Sequence, residues 1–165
     1  MQQNYTMGED FMSSELPDFE ITSYKSLSQT AMRSLVFHYL YAMEGFDYSV
    51  SLGTIIDMFN RGYGFDVPFD SKSASLTQKI IDSRHDLDKT IVSLLSSSWR
   101  LERIGLCTKL ILRMTLFELQ HSDIPSVVLI NEAIELAKAF SEKDAYKFIN
   151  GILDEFCKKH KKDDN

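Results

Sequence analysis

Residues 106–140 read LCTKLILRMTLFELQHSDIPSVVLINEAIELAKAF, and this stretch decides the fold class. Its first part, about residues 106–120, is apolar on nearly every side, which predicts a central, buried helix. Pro125 marks the next break, because proline cannot donate a backbone hydrogen bond inside a helix. Residues 126–140 then repeat apolar side chains at helical spacing, which predicts another helix. Two such helices in succession indicate a helical protein.

Helical periodicity continues on the N-terminal side of this pair. Apolar side chains three and four positions apart predict three further helices. These upstream helices are predicted at about 27–43, 50–60 and 74–97. Ser26 or Ser28 is expected to cap the first of them, and Gly45 is expected to end it. Residues 1–25 lack this periodicity and carry several acidic side chains, so we expect a flexible acidic arm there.

A last helix is predicted on the C-terminal side. Residues 141–144, Ser-Glu-Lys-Asp, resemble a capping box, and apolar spacing continues to about residue 159. Few glycines and prolines interrupt the chain, and long β-branched alternation is absent. The expected fold class is therefore all-α.

Composition narrows the class of protein further. Of 165 residues, 44% are hydrophobic and 25% charged, as in ordinary soluble globular proteins. No apolar run reaches the roughly 20 residues that span a membrane. Cys107 and Cys157 lie in apolar periodic stretches and read as reduced thiols, which favours a cytoplasmic protein. Since the net charge is −6, a polyanion partner must bind a local basic surface.

Motifs that carry catalytic or metal chemistry are missing from the sequence. It has no His-Glu-x-x-His, no Cys-x-x-Cys, no phosphate-binding glycine loop and no serine elbow. Glu118 and His121 form its one Glu-x-x-His pair, whereas a di-metal bundle needs two such pairs. We therefore expect a protein that is not an enzyme and that holds no metal or cofactor.

The first predicted helix places an aromatic side chain away from the core. At about 100° per residue, Tyr41 points nearly opposite to the apolar stripe, and Arg33 and Phe37 share its outer side. A cation beside exposed rings suits the phosphates and unstacked bases of RNA. The open alternative is that the acidic arm, another helix or a second subunit covers this stripe.

Two other helices carry ambiguous side chains. Lys109 and Arg113 stand four positions apart on the apolar central helix, and they require an internal carboxylate, such as Glu118 or Glu132, or an external anion. In the last helix, Phe148 lies at the edge of the apolar face. It is predicted to be either a peripheral core residue or a residue that contacts a partner. Gly151 inside a helix lowers the stability of the fold by about 1 kcal/mol relative to alanine. We expect the close approach of another helix to compensate for this loss.

Several segments together resemble a known family. They are Trp99–Ile104 (WRLERI), Ile111–Leu119 (ILRMTLFEL), Asp123–Pro125 (DIP), Ile130–Lys138 (INEAIELAK) and Lys147–Asp154 (KFINGILD). In this order they resemble the NusB family of bacterial transcription antitermination factors, over about residues 27–157. The resemblance implies an all-α, NusB-like bundle of about six to seven helices. It also implies two packed helical subdomains, 26–98 and 99–160, within a domain of residues 26–160.

The resemblance also implies a function. Members of this family are non-enzymatic RNA-binding adaptors that bind the boxA RNA of ribosomal RNA operon leaders together with the ribosomal protein NusE. The complex acts on the RNA polymerase elongation complex through other Nus factors, and a homodimer is possible. Carried over by position, the residues expected to bind RNA are Arg33, Tyr41, Lys109, Asp144 and Phe148. Those expected to bind the protein partner are Thr108, Lys109 and Asp144.

The sequence departs from the family at its N-terminal arginine-rich motif. Gln29, Thr30 and Ala31 stand where other arginines are expected, and only Arg33 remains. Each lost phosphate contact weakens RNA binding and its dependence on salt. We therefore expect weak RNA binding by the chain alone and strong dependence on NusE. The alternative is a protein-interaction adaptor of the same fold that has lost most RNA binding.

Overall fold

A computed structural model describes residues 23–161, and this part of the chain contains seven α-helices and no strand. The helices are α1 Gln29–Gly45, α2 Leu52–Tyr63, α3 Lys72–Asp82, α4 Arg84–Leu94, α5 Leu106–His121, α6 Ser126–Phe140 and α7 Ala145–His160. Short 3-10 turns occupy Tyr24–Ser26 and Leu101–Arg103. The all-α prediction is confirmed. The predicted acidic arm lies outside the described residues, apart from its last three positions.

Serine caps explain where the N-terminal helices begin. The Ser28 side chain accepts a hydrogen bond from the Ala31 backbone N–H, so Ser28 and not Ser26 caps α1. Ser51 and Ser71 cap α2 and α3 in the same way. Each such cap satisfies a backbone donor that the helix leaves free and stabilises the fold by about 1 kcal/mol.

The single helix predicted over residues 74–97 is wrong. The structure has α3 and α4 instead, and only Ser83 separates them. The Ser83 N–H still bonds to the Lys79 carbonyl, whereas the Ser83 carbonyl already accepts from Leu87 in α4. The Arg84 side chain donates to the Ile81 carbonyl at 2.9 Å. Because one residue makes the break, the apolar spacing continues across it and hides it from sequence patterns.

The predicted capping box at 141–144 is also wrong. Asp144 is the residue before α7, but its backbone is left-handed, with φ 67°, and its side chain makes no cap hydrogen bond. The Ala145 N–H bonds to the Glu142 carbonyl instead. Asp144 therefore does not cap the helix that it precedes, and its carboxylate pairs with Lys147 instead. By contrast, α6 has the bounds predicted for it.

Helix α5 forms the centre of the molecule. It packs against α1, α3, α4, α6 and α7, and its residues 110–118 are all buried. This confirms the prediction of a central, buried helix. The division into two subdomains at 26–98 and 99–160 stays a prediction.

Arg113 on α5 is neutralised inside the protein. Its guanidinium donates two hydrogen bonds of 2.7 Å to Asp88 on α4 and one of 2.9 Å to Glu44 on α1. The expectation of an internal carboxylate is confirmed, although Glu44 and Asp88 supply it and not Glu118 or Glu132. These bonds join three helices and raise the pKa of Arg113 despite its burial.

Cys107 and Cys157 are free thiols and partly buried, as the sequence predicts. Burial raises the pKa of both thiols, which keeps them in the less reactive protonated form.

Within residues 23–161, the helices are too short or too polar to span a membrane.

Candidate nucleic-acid interface

Arg33 does not lie on an outer stripe, so that expectation is wrong. Its side chain is buried and donates hydrogen bonds of 3.0 Å from Nε and Nη2 to the two carboxylate oxygens of Glu118. The helical arithmetic treated α1 as having one inner face, whereas α2, α3 and α5 all pack against it. Contact of Arg33 with an RNA phosphate stays a prediction that would require its guanidinium to leave Glu118.

Phe37 is buried as well, and the expectation of an exposed ring is wrong. The ring is 3% exposed and stacks on Phe140 at the end of α6, with ring centroids 5.0 Å apart. His38 packs edge-on against both rings. A neighbouring helix therefore covers this part of α1, which was one of the alternatives left open.

Tyr41 points to solvent, as the helical arithmetic predicts. It is 47% exposed and lies 6.4 Å from the Phe37 ring, measured between centroids. The Phe37 ring therefore lies beneath an exposed ring that has a face open to solvent. Its contact with RNA stays a prediction.

Lys109 and Thr108 begin α5 beside α1. Lys109 is half-buried, and its charge contributes to holding the pKa of Glu44 below its usual value. Thr108 is buried, and its hydroxyl donates a long hydrogen bond of 3.4 Å to Ser141. Thr108 is therefore a buried residue in the wall of a cleft, whereas Lys109 is partly exposed. Their contacts with a partner stay predictions.

Asp144 and Phe148 border the same cleft at the start of α7. This cleft has a volume of about 260 Å³ and includes Thr108 in its wall. Phe148 is half-buried against the core, so its description as peripheral core is correct in part. The Asp144 carboxylate is more than half exposed and forms a surface ion pair of 3.5 Å with Lys147. The structure thus brings Thr108, Asp144 and Phe148 together.

Sequence reasoning missed an exposed ring beside Phe148. Trp99, in the segment before α5, is 50% exposed, and its ring centroid lies 5.5 Å from that of Phe148. Arg103 and Lys143 line the same cleft and are exposed. A tryptophan in a serine-rich linker, where no helix pattern explains it, was the signal that could have identified this site.

Gly151 faces solvent, contrary to the expectation of a close neighbouring helix. A Cβ added at this position would meet nothing within 4 Å. No packing contact among the described residues therefore compensates for the loss of helix stability that this glycine causes.

Successive contacts connect Tyr41 to the cleft. Tyr41 lies against Phe37, Phe37 stacks on Phe140, and the next residue, Ser141, bonds to Thr108 in the cleft wall. We call the combined region the aromatic surface. It comprises Tyr41, Trp99, Arg103, Lys109, Lys143, Asp144 and Phe148.

Metal chemistry has no support in the described part of the chain. Across residues 23–161, no group of three or more His, Cys, Asp or Glu side chains is arranged to hold a metal ion. The described residues thus form an all-α protein with an exposed aromatic surface.

Comparisons with known proteins identify the family. The NusB family model matches residues 30–158. The transcription antitermination protein NusB of Staphylococcus carnosus is 37% identical over 127 residues, covering 77% of this chain and 97% of that protein. The match to the protein of the same name from Limosilactobacillus reuteri is 34% identical and covers 81% and 95%. That from Macrococcus caseolyticus is 45% identical over 83 residues, covering 50% of this chain and 63% of the relative.

Solved structures agree with these matches. NusB of T. maritima superimposes with a TM-score of 0.69 at 30% identity, covering 80% of this chain and 92% of that one. A chain at 20% identity, from a structure described as a plectonemic RNA supercoil, has a TM-score of 0.66 and supports the fold alone. The chain belongs to the NusB family.

Proposed function

We propose that this chain is a transcription antitermination factor that binds boxA RNA of ribosomal RNA operon leaders together with NusE. In this proposal it acts on elongating RNA polymerase through other Nus factors, without enzymatic chemistry, in the cytoplasm where bacterial transcription takes place. Membership of the NusB family supports the proposal. The observation that carries it is the exposed Tyr41 ring, connected through packed side chains to the cleft at Asp144 and Phe148.

Each residue type on the aromatic surface suits one part of a single RNA strand. Tyr41 and Phe148 offer rings on which unpaired bases stack, and each such stack contributes about 1–3 kcal/mol. Lys109 supplies a positive charge for a phosphate, which positions the strand. Asp144 carries a carboxylate, which accepts hydrogen bonds from the amino group of a base or from NusE.

The chain alone is expected to bind RNA weakly. Arg33 is paired with Glu118, and Gln29, Thr30 and Ala31 bring no positive charge to the start of α1. Non-specific attraction to phosphates depends on such charges. NusE would therefore supply contacts that this chain lacks, and tight RNA binding would need both proteins.

The test is co-purification with NusE, followed by a gel shift with boxA and scrambled RNA. We expect retention of boxA by the pair, little retention by the chain alone, and little retention of scrambled RNA. Tyr41→Ala should weaken retention about 5- to 150-fold, the equivalent of about 1–3 kcal/mol, with the helical circular dichroism unchanged. Phe69→Ala is the matched control, because Phe69 is a 64% exposed ring outside the aromatic surface. Equal retention of boxA and scrambled RNA would contradict the proposal.

A second candidate is supported by the Arg33–Glu118 ion pair. Because this pair removes the remaining arginine of the motif from the surface, a protein-interaction adaptor that has lost most RNA binding has a specific observation in its favour. Under this candidate, NusE would bind the chain, but RNA retention by NusE would not increase in its presence. Tyr41→Ala would then leave RNA retention unchanged.

A further inference from the structure

We propose that Trp99 and Phe148 form a stacking site for one unpaired RNA base, with Arg103 and Lys143 holding the flanking phosphates. This inference rests on the proposed function and deepens it. It adds Trp99, Arg103 and Lys143 to the base contact proposed for Phe148.

The two rings are arranged as a platform. Their centroids lie 5.5 Å apart and their planes are inclined by 37°, so Phe148 supports the indole from one side. Half of the Trp99 surface remains open to solvent. A large ring left exposed in this way indicates a binding site more strongly than a buried one, because core packing does not account for it. Aromatic faces accept any base, since every base has a π-face.

The cleft next to the rings has room for one base. Its volume of about 260 Å³ is below the roughly 300–1,000 Å³ of pockets that hold drug-sized ligands. The Glu142 side chain packs closely over Gly105 in the cleft wall, since a Cβ added at Gly105 would lie 3.1 Å from the Glu142 carboxylate oxygen. A small planar group therefore fits this space better than a bulky side chain of a protein partner.

The charges around the cleft match a nucleotide. Among residues 23–161, Arg103 and Lys143 have no carboxylate within ion-pair distance, so both cations are free to meet phosphates. Glu142 and Asp144 place carboxylates in the same cleft. A carboxylate accepts a hydrogen bond from an exocyclic amino group, which adenine, cytosine and guanine carry and uracil lacks. The site should therefore prefer an amino-bearing base to uracil.

A direct test uses the intrinsic fluorescence of Trp99, which is the only tryptophan in the sequence. The full chain is titrated at low salt with oligoadenylate, oligocytidylate and oligouridylate of equal length. We expect quenching by the first two at lower concentration than by oligouridylate. As a control, Trp99→Phe combined with Phe69→Trp moves the indole off the aromatic surface. This variant should still bind boxA RNA together with NusE in a gel shift, but its fluorescence should not be quenched by the oligonucleotides.

Variants of the cleft give a second readout, the affinity for boxA RNA in the presence of NusE. Trp99→Ala should weaken it about 5- to 150-fold, corresponding to about 1–3 kcal/mol, and Arg103→Ala should also reduce the salt dependence of binding. This inference would be overturned if the chain bound RNA without quenching of Trp99 fluorescence and if Trp99→Ala left the affinity for boxA RNA unchanged. The proposed function would then remain intact. A chain that binds no RNA, with or without NusE, would overturn both. Equal quenching by all three oligonucleotides would overturn the base preference.

Discussion

Arg33 on α1 and Glu118 on α5 form a buried ion pair with two hydrogen bonds of 3.0 Å each. Both side chains are 9% exposed, so water screens the pair poorly. The pair fixes α1 against the central helix. It also takes a cation away from the surface on which the family resemblance would place it.

Breaking this pair should destabilise the fold strongly. Arg33→Ala leaves the Glu118 carboxylate buried without its partner, and we expect the free energy of unfolding to fall by about 3–5 kcal/mol. Urea denaturation followed by circular dichroism measures this. The double change Arg33→Met and Glu118→Leu should recover most of the loss, since apolar side chains of similar size replace both charges. A loss below about 1 kcal/mol for Arg33→Ala would contradict a buried, coupled pair.

The same double variant separates stability from RNA binding. If Arg33 serves only to hold α1 against α5, the folded double variant should retain boxA RNA with NusE as well as the unchanged chain does. A gel shift at several salt concentrations checks this. A loss of affinity with a shallower salt dependence would show that Arg33 contacts a phosphate.

Glu44 should contribute to acid sensitivity. Burial disfavours its charged form, but hydrogen bonds from Tyr48 and Arg113 outweigh burial and hold the pKa of Glu44 below its usual 4.5. Its contribution to stability is therefore present above about pH 4.5 and is lost as pH falls through the lower folded-state value. Urea denaturation at several acidic pH values should show a smaller decrease for Glu44→Gln than for the unchanged chain. An equal decrease in the free energy of unfolding for both proteins as the pH falls would contradict this role.

His38 should make the fold less stable as pH falls from 7 to about 5. Burial lowers the pKa of His38, and the hydrogen bond of its Nδ1 to the Ser34 carbonyl only partly opposes this. His38 therefore binds a proton more readily in the unfolded chain than in the folded chain. Because of this difference, the free energy of unfolding decreases as the pH falls. One proton contributes at most about 1.4 kcal/mol per pH unit. His38→Gln should flatten this part of the profile, and an unchanged slope would refute the assignment.

Gly151→Ala should stabilise the isolated chain by about 0.5–1 kcal/mol. An alanine Cβ meets no neighbour within 4 Å here, so the gain in helix propensity has no steric cost. Thermal unfolding measures the change, and Gly45→Ala, at the end of α1, is a comparison position that also has open space. A lower midpoint for Gly151→Ala would show that a contact absent from this structure occupies the position.

Much of the fold follows from local patterns. The bounds of α6 and the burial of α5 were predicted because one apolar face, or apolar side chains all round, suffices to define them. The break at Ser83 was not predicted, because a one-residue interruption leaves the spacing of apolar residues intact. The Asp144 conformation was missed because 141–144 has the composition of a capping box, whereas the backbone of Asp144 is left-handed and its side chain caps nothing.

The candidate site was predicted less completely. Tyr41 was identified because it faces away from every apolar stripe of its own helix. Arg33 and Phe37 were placed wrongly because three helices pack around α1, and a single helix cannot reveal how many neighbours it has. Trp99 lies between helices, where periodicity gives no direction, so only the structure brings it against Phe148.

Photo-crosslinking would show whether RNA lies along the aromatic surface. The complex of this chain with NusE would be irradiated with boxA RNA that carries 4-thiouridine, and crosslinked peptides would be mapped by mass spectrometry. We expect crosslinks in the peptides that contain Tyr41, Trp99 and Phe148, as RNA bound along this surface requires. Crosslinks confined to other faces, such as the exposed end of α7 around Lys158 and Lys159, would contradict it.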